Sequence, residues 1–264
     1  MEILGYIMAL VIGVSLGLIG GGGSILAVPV LAYLYSFDEK VATAYSLFVV
    51  GVAALVGGFR QNRDDNVDWR TAIVFGIPAI IGVWIVRHYI VPELPDVILT
   101  IGTFDFTRRM AMFGLFSLLM FWAAYSMLSH KEEQGGTGEV QYNYPLILAE
   151  GLIVGSISGF VGAGGGFLII PALIVLANLE IKKAIGTSLI IIALKSLMGF
   201  FLGDALSMEV DWSFLLVFTS IAVFGIFAGV YIGKYMDGSK LKRGFGYFII
   251  AMAIFIFIME FFIE

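Results

Sequence analysis

Lys195 is the residue whose position most demands a chemical explanation. It stands in SLIIIALKSLMGFF, flanked by apolar residues on both sides. Near the middle of a membrane-crossing helix an uncompensated lysine costs about 3 kcal/mol or more, so it reads as functional by default. Ser188 precedes it by seven residues, two helical turns along nearly the same face. Two glycine runs offer complementary chemistry: GGGG before Ser24, and GAGGG ending at Gly166. Each Gly costs about 1 kcal/mol relative to Ala inside a helix. Each run is therefore expected to end one helix and open the next, at Ser24 and at Gly166. A helix start presents unpaired N–H groups and the positive end of the dipole, which together suit an anion.

The expected substrate contacts are accordingly Gly22, Gly23, Ser24, Gly164, Gly165 and Gly166, with Lys195 as the charge. Hydroxyls at the head of the following spans join them: Thr43 and Ser46 in ATAYS, Thr187 and Ser188 in AIGTS. Such hydroxyls also bond to the preceding helical turn and do nothing more. Glu150, early in LILAEGLIVG, is a candidate proton carrier or an ordinary near-interface acid. Lys195 has two bland readings beside the functional one, snorkelling toward an interface and pairing with Glu150. Arg87, His88, Arg108 and Arg109 read as interfacial anchors or orientation signals.

Those residues need elements to hold them, and the elements come in two sets. Pro171 minus Pro29 gives an offset of 142, at which Gly13/Gly155, Gly17/Gly159, Gly20/Gly162, Gly22/Gly164, Gly23/Gly165 and Leu26/Leu168 coincide. The match continues through Lys40/Lys182, Ala42/Ala184, Ser46/Ser188 and Leu47/Leu189, so the halves read as a duplication. Paired, glycine-broken apolar segments in corresponding positions point to a transporter with its site between the repeats. Gly13, Gly17, Gly155 and Gly159, spaced by four, read as helix-packing positions. Pro29 and Pro171 leave carbonyls free upstream, which shapes a kink or lines a cavity.

Composition fixes the class. The chain has 264 residues, 60% hydrophobic and 13% charged, with a mean hydropathy of +1.00; a soluble domain is about a quarter charged. Apolar stretches near the roughly 20 residues that cross a bilayer fall at 3–19, 41–59, 69–91 and 110–128, then at 144–161, 184–202, 213–235 and 245–263. Two shorter pieces, 24–35 and 166–176, follow the glycine runs. The expectation is an all-α polytopic membrane protein of eight full spans plus two short or re-entrant helices. Residues 1–129 and 144–264 would be the repeats, joined by a polar linker at 130–143. The opening MEILGYIMALVIG lacks a basic leader and reads as a first span, not a removable signal.

Orientation follows the basic residues. Lys234, Lys240, Lys242 and Arg243 place one second-half loop inside, and 203–211 has no Lys or Arg. The first-half loop with Arg60, Arg63 and Arg70, equivalent to 203–211, also looks cytoplasmic. Equivalent loops on opposite sides require inverted repeats, the preferred reading. Short pieces that re-enter would instead make the repeats parallel.

Several chemistries are excluded. With no cysteine and two histidines, His88 and His130, both beside segment ends, neither thiolate chemistry nor a metal site is expected. GGGGS and GAGGG do not follow a strand in an α/β unit, so nucleotide binding fails on context. No enzyme, cofactor or nucleic-acid partner is expected, and energy would come from an ion gradient or the substrate's own.

At GLIGGGGSILAVPVL with its Thr43–Ser46 patch, and at GFVGAGGGFLIIPAL followed by AIGTSL, the chain resembles the TauE/SafE sulfite-exporter family, also called the toluene-sulfonate uptake permease group. The resemblance covers essentially the whole chain. It implies transport, often outward, of sulfite or an organosulfonate. With the residue reading it gives the expected function: a secondary transporter of a small sulfur-containing anion, in the bacterial cytoplasmic membrane, as a possible homo-oligomer. The alternatives are a membrane-embedded assembly or regulatory subunit, and a passive anion channel.

Overall fold

The computed structural model describes residues 2–101, 104–129, 144–162, 164–176, 179–233, 235–236 and 238–263. The linker expected at 130–143 lies outside the described residues. The rest is a bundle of apolar helices. Helix α1 (Glu2–Ile19) leads through a 3-10 turn (Gly21–Gly23) into α2 (Ser24–Pro29) and a π turn (Val30–Leu34). Helix α3 (Glu39–Arg63) and α4 (Trp69–Ile85) follow, the latter extended by a π turn (Val86–Ile90) and by α5 (Val91–Glu93). After strands β1 (Val97–Ile101) and β2 (Phe104–Thr107) comes α6 (Arg108–Ser129). The second half holds α7 (Tyr144–Val161), α8 (Gly166–Leu176), α9 (Ile181–Gly199) with a π turn (Phe200–Asp204), α10 (Trp212–Gly233), and α11 (Gly238–Ile258) with a last π turn (Met259–Ile263).

Glu39–Arg63, Trp69–Glu93, Ile181–Asp204 and Trp212–Gly233 are long and apolar enough to cross a membrane, and shorter apolar helices lie beside them. Large apolar side chains such as Ile73, Ile77 and Ile81 of α4, and Phe224, Phe227 and Tyr231 of α10, point outward. That is how a helix surface solvated by lipid looks. The helix starts follow local chemistry: Asp68 accepts a hydrogen bond from Thr71 N at 2.8 Å, and Asp211 accepts one from Phe214 N at 3.0 Å. Each aspartate caps one orphan donor of a helix N-terminus.

The fold is helical as expected, and the antiparallel hairpin of β1 and β2 is a small addition to it. Its run VILTI is rich in β-branched residues, and it joins the end of α5 to α6, with no counterpart between α10 and α11 among the described residues. Arg108 ties it down, pairing with buried Glu39 and, at 2.8 Å, with Asp96. Arg108 is therefore buried in an ion-pair cluster rather than standing free as an interfacial anchor.

Close approach between the halves is built on glycine. A Cβ added to Gly13 or Gly17 would strike the α10 backbone at Ala222 and Ile226. One added to Gly155 or Gly159 would strike the α4 backbone at Ala79 and Val83. Small residues let helices pack backbone to backbone where no hydrophobic force drives them together. So α1 lies on α10, α7 lies on α4, and α3 meets α9 between them. Two polar ties repeat the pattern. Asp68 N donates to Thr187 Oγ1 at 2.9 Å, and Asp211 N donates to the Tyr45 hydroxyl at 2.7 Å.

Candidate functional site

The glycine runs cross at the centre of the bundle. Gly21 and Gly166 sit backbone against backbone, so a Cβ on either would collide with the other. New helices begin at Ser24 and Gly166 as the sequence predicts, but the two breaks differ. In the first, only Gly20 has a positive φ, +70°, and the chain coils straight into α2 with Gly23 at φ −68°. In the second, Gly162, Gly164 and Gly165 have φ of +73°, +65° and +58°, values an L side chain adopts only under strain. The second break is a true interruption: Gly162 N closes α7 on Ser158 O at 2.9 Å, Gly165 O accepts from Ile169 N at 3.3 Å to open α8, and the chain turns through left-handed glycines between them.

Lys195 lies beside that second break. It is fully buried, and a Cβ on Gly165 would stand 2.9 Å from Nζ. Nζ donates to Ser158 Oγ of α7 at 2.7 Å. No carboxylate pairs with it among the described residues, and Glu150, partly buried on α7 with Oε2 unpartnered, is not its counter-ion. The snorkelling and Glu150-pairing readings of Lys195 both fail. Ser196, its neighbour, is buried with an unpartnered Oγ, 3.6 Å from where a Gly164 Cβ would be. Ser24 Cβ borders the same glycine.

The other hydroxyls divide. Ser46 Oγ is buried without a partner. Ser188 Oγ donates to Ile185 O at 2.8 Å, and it faces Gly20. Ser24 Oγ donates to Gly21 O at 2.7 Å, which closes the 3-10 turn. Thr43 Oγ1 donates to Glu39 O at 2.7 Å, and Thr187 accepts from Asp68 N. Both threonine hydroxyls thus serve the scaffold first. Gly22 and Gly23 belong to the turn into α2, where Gly23 packs on Ile12, Ser15 and Leu16 of α1.

Two residues of this site, Ser158 and Ser196, are not singled out in the sequence, and Arg87, outside it, is read there as an interfacial anchor. Ser158 sits in GSISGF between two packing glycines and is matched by Leu16 in the first half, so the repeat conceals it. Ser196 was detectable as the neighbour of Lys195. Arg87, at the end of an apolar run, resembles an interfacial anchor, yet it is 1% exposed and pairs with Asp204 at 3.1 Å.

Long apolar helices with lipid-like outer faces, closed around a buried lysine, define an integral membrane protein. Comparison with known proteins makes it a transporter. The family described as Sulfite exporter TauE/SafE matches residues 6–256, and the chain belongs to that family. A "Probable membrane transporter protein" of Xylella fastidiosa is 30% identical over 251 residues, covering 93% of this chain and 90% of its own. One of Methanocaldococcus jannaschii is 29% identical, with 73% and 68% covered. A third, YunE of Bacillus subtilis, is 26% identical with 88% of each covered. No solved structure matches the chain. The family is one of membrane transporters, not enzymes.

Proposed function

We propose that this chain is a secondary transporter, working as an exporter, for a small sulfur oxyanion such as sulfite or an organosulfonate, bound where the glycine runs cross. The observation that carries the proposal is Lys195: a fully buried amine with one hydroxyl partner and, among the described residues, no carboxylate. A buried charge is stable when paired and costly when alone, and a bound oxyanion would supply the missing charge. Ser196 Oγ and Ser46 Oγ are buried donors without partners, and the broken backbone at residues 164–166 adds N–H groups. The family description favours a sulfur oxyanion over other small anions.

Alternating access would come from two inverted halves. Tyr35, past the end of the short helix, lies against Gly5, near the start of α1, so the segment runs back alongside α1. Glu39, Arg108 and the hairpin gather at that same end. The α3–α4 loop meets the start of α9, while the α9–α10 loop meets the start of α3. Equivalent loops thus face opposite ends, which supports inversion and five passes per half. The halves would rock about the glycine crossing, with Glu150 as the proton-coupling group, in the bacterial cytoplasmic membrane. Purified protein in liposomes tests this reading directly. Saturable sulfite uptake that speeds up with sulfite on the far side is expected, whereas unsaturable flux would make the protein a channel and no flux would make it a subunit.

A further inference from the structure

The buried pair of Arg87 and Asp204 lies outside the site just described. Arg87 is on the π turn that prolongs α4, and Asp204 on the π turn that prolongs α9. Such turns recur at functional sites because they break regular helix pairing. Arg87 spends Nη1 on Asp204 Oδ1 at 3.1 Å. Its Nε and Nη2, both buried, have no partner, nor has Asp204 Oδ2. Nε and Nη2 form the side-on fork of a guanidinium, which matches two oxygens of one oxyanion. Nη2 lies close against Gly162, where a Cβ would collide with it, so only glycine leaves the guanidinium its place. Thr43, which borders the same face of Gly162 as Nη2, has its hydroxyl turned to Glu39 O. The side chain of Asp204 keeps 10% of its surface exposed against 0% for Arg87, so the pair is reached from the Asp204 side. Neither residue has a charged twin, since Gly229 and Asn62 stand at the equivalent places.

We propose that Arg87 is a second anion post, taking a small two-oxygen anion such as a sulfite or sulfonate on its Nε–Nη2 fork while Asp204 competes from Nη1. Gly162 precedes Gly165 by three residues, and Gly165 touches Lys195 Nζ. Three residues span at most about 11 Å, so an anion leaving Lys195 reaches Arg87 in one short step. Asp204 keeps Arg87 from holding the anion too tightly. Only the placing of the post on a path rests on the proposed role of Lys195; the fork and its competitor stand without it.

The experiment uses the full chain in detergent and follows thermal unfolding against sulfite and methanesulfonate at constant ionic strength. In a Lys195→Ala background, which removes the central cation, saturable stabilisation by either anion should persist. Adding Asp204→Asn should lower the half-saturating concentration about tenfold, because the competing carboxylate is gone. Adding Arg87→Lys, which keeps the charge and loses the fork, should raise it about tenfold. Asp204→Asn alone leaves Arg87 without a counter-ion, so this variant should unfold earlier and be restored by anion. The post is overturned if Lys195→Ala protein shows no saturable stabilisation, or if its half-saturation is unmoved by both changes. It is equally overturned if Asp204→Asn protein is destabilised and anion does not restore it, which also decides the matter should the Arg87 variant fail to fold. Failure of the central reading looks different: Lys195→Ala would then leave transport by the otherwise unchanged chain intact.

Discussion

The two glycine runs began as one motif and now do different things. The first is packed: one left-handed glycine, a 3-10 turn closed by Ser24, and Gly23 set against the α1 backbone. The second is broken: three left-handed glycines beside Ser158, Lys195 and Ser196. The scaffold around them keeps its symmetry, since Gly13 and Gly17 meet α10 as Gly155 and Gly159 meet α4. A duplicated frame therefore leaves each half free to specialise. Here the lysine and the broken backbone of the central site lie in the second half, and the first supplies Ser46 and the packed wall.

Lys195 is where that comparison breaks most easily. Replacing it with Ala should lower sulfite flux in liposomes about 100-fold, the scale of losing one partner of a buried charge pair. The folded protein should survive, because Ser158 retains a hydroxyl that can bond to its own preceding turn. Unchanged flux would remove the second run from the site.

The equivalent pair Gly23 and Gly165 sharpens the contrast. Gly165→Ala pushes a methyl toward Ser158 and Lys195 Nζ in a backbone with φ +58°; flux should fall about tenfold, with about 1–2 kcal/mol of strain. Gly23→Ala has no φ to strain, φ being −68°, but its methyl meets Leu16 N and Ile12 O of α1. Backbone cannot swing aside as a lysine can. Gly23→Ala should cost about 1–3 kcal/mol in overpacking, read as a lower unfolding temperature, with the Km for sulfite unchanged in whatever folds. Equal effects on Km from both would mean that the runs share the work after all.

A good part of the fold was legible because lipid imposes long apolar runs. Segments 144–161 and 166–176 match α7 and α8 to the residue, and the glycines of the crossing announced their helix starts. The hairpin was missed because VILTI sits among Glu93, Asp96, Asp105, Arg108 and Arg109, where charge suggests a loop. Of the site, Lys195 was legible from cost alone: a lysine in an apolar run must be compensated. Its partner was not, since Ser158 is 37 positions away on another helix. Arg87 was misread for the same reason, with Asp204 lying 117 positions further on. One-dimensional patterns report what a residue needs, and partners across the bundle are a property of packing. The hydroxyls illustrate the converse. Thr43 and Thr187 carried the same polar signature as Ser46, and only the fold separates those that bond to backbone from one left without a partner.

The smallest effects belong to the paired ties, and they test whether the frame is as even as the glycines suggest. Thr187 accepts from Asp68 N, and Tyr45 accepts from Asp211 N. Each fastens a loop of one half to the head of a helix in the other. Thr187→Val and Tyr45→Phe each remove one acceptor and keep most of the side-chain volume, leaving one amide without its partner. Each should cost about 1 kcal/mol, which for a chain of this size is roughly 2–4 °C of unfolding temperature. Sulfite affinity should not move, because each hydroxyl is held at a loop by a backbone amide. Equal shifts at both sites would mean that the two ends of the bundle are held alike, leaving Lys195 and the second glycine break as the source of asymmetry. A shift at one end alone would place part of that asymmetry in the frame, at whichever end opens more easily.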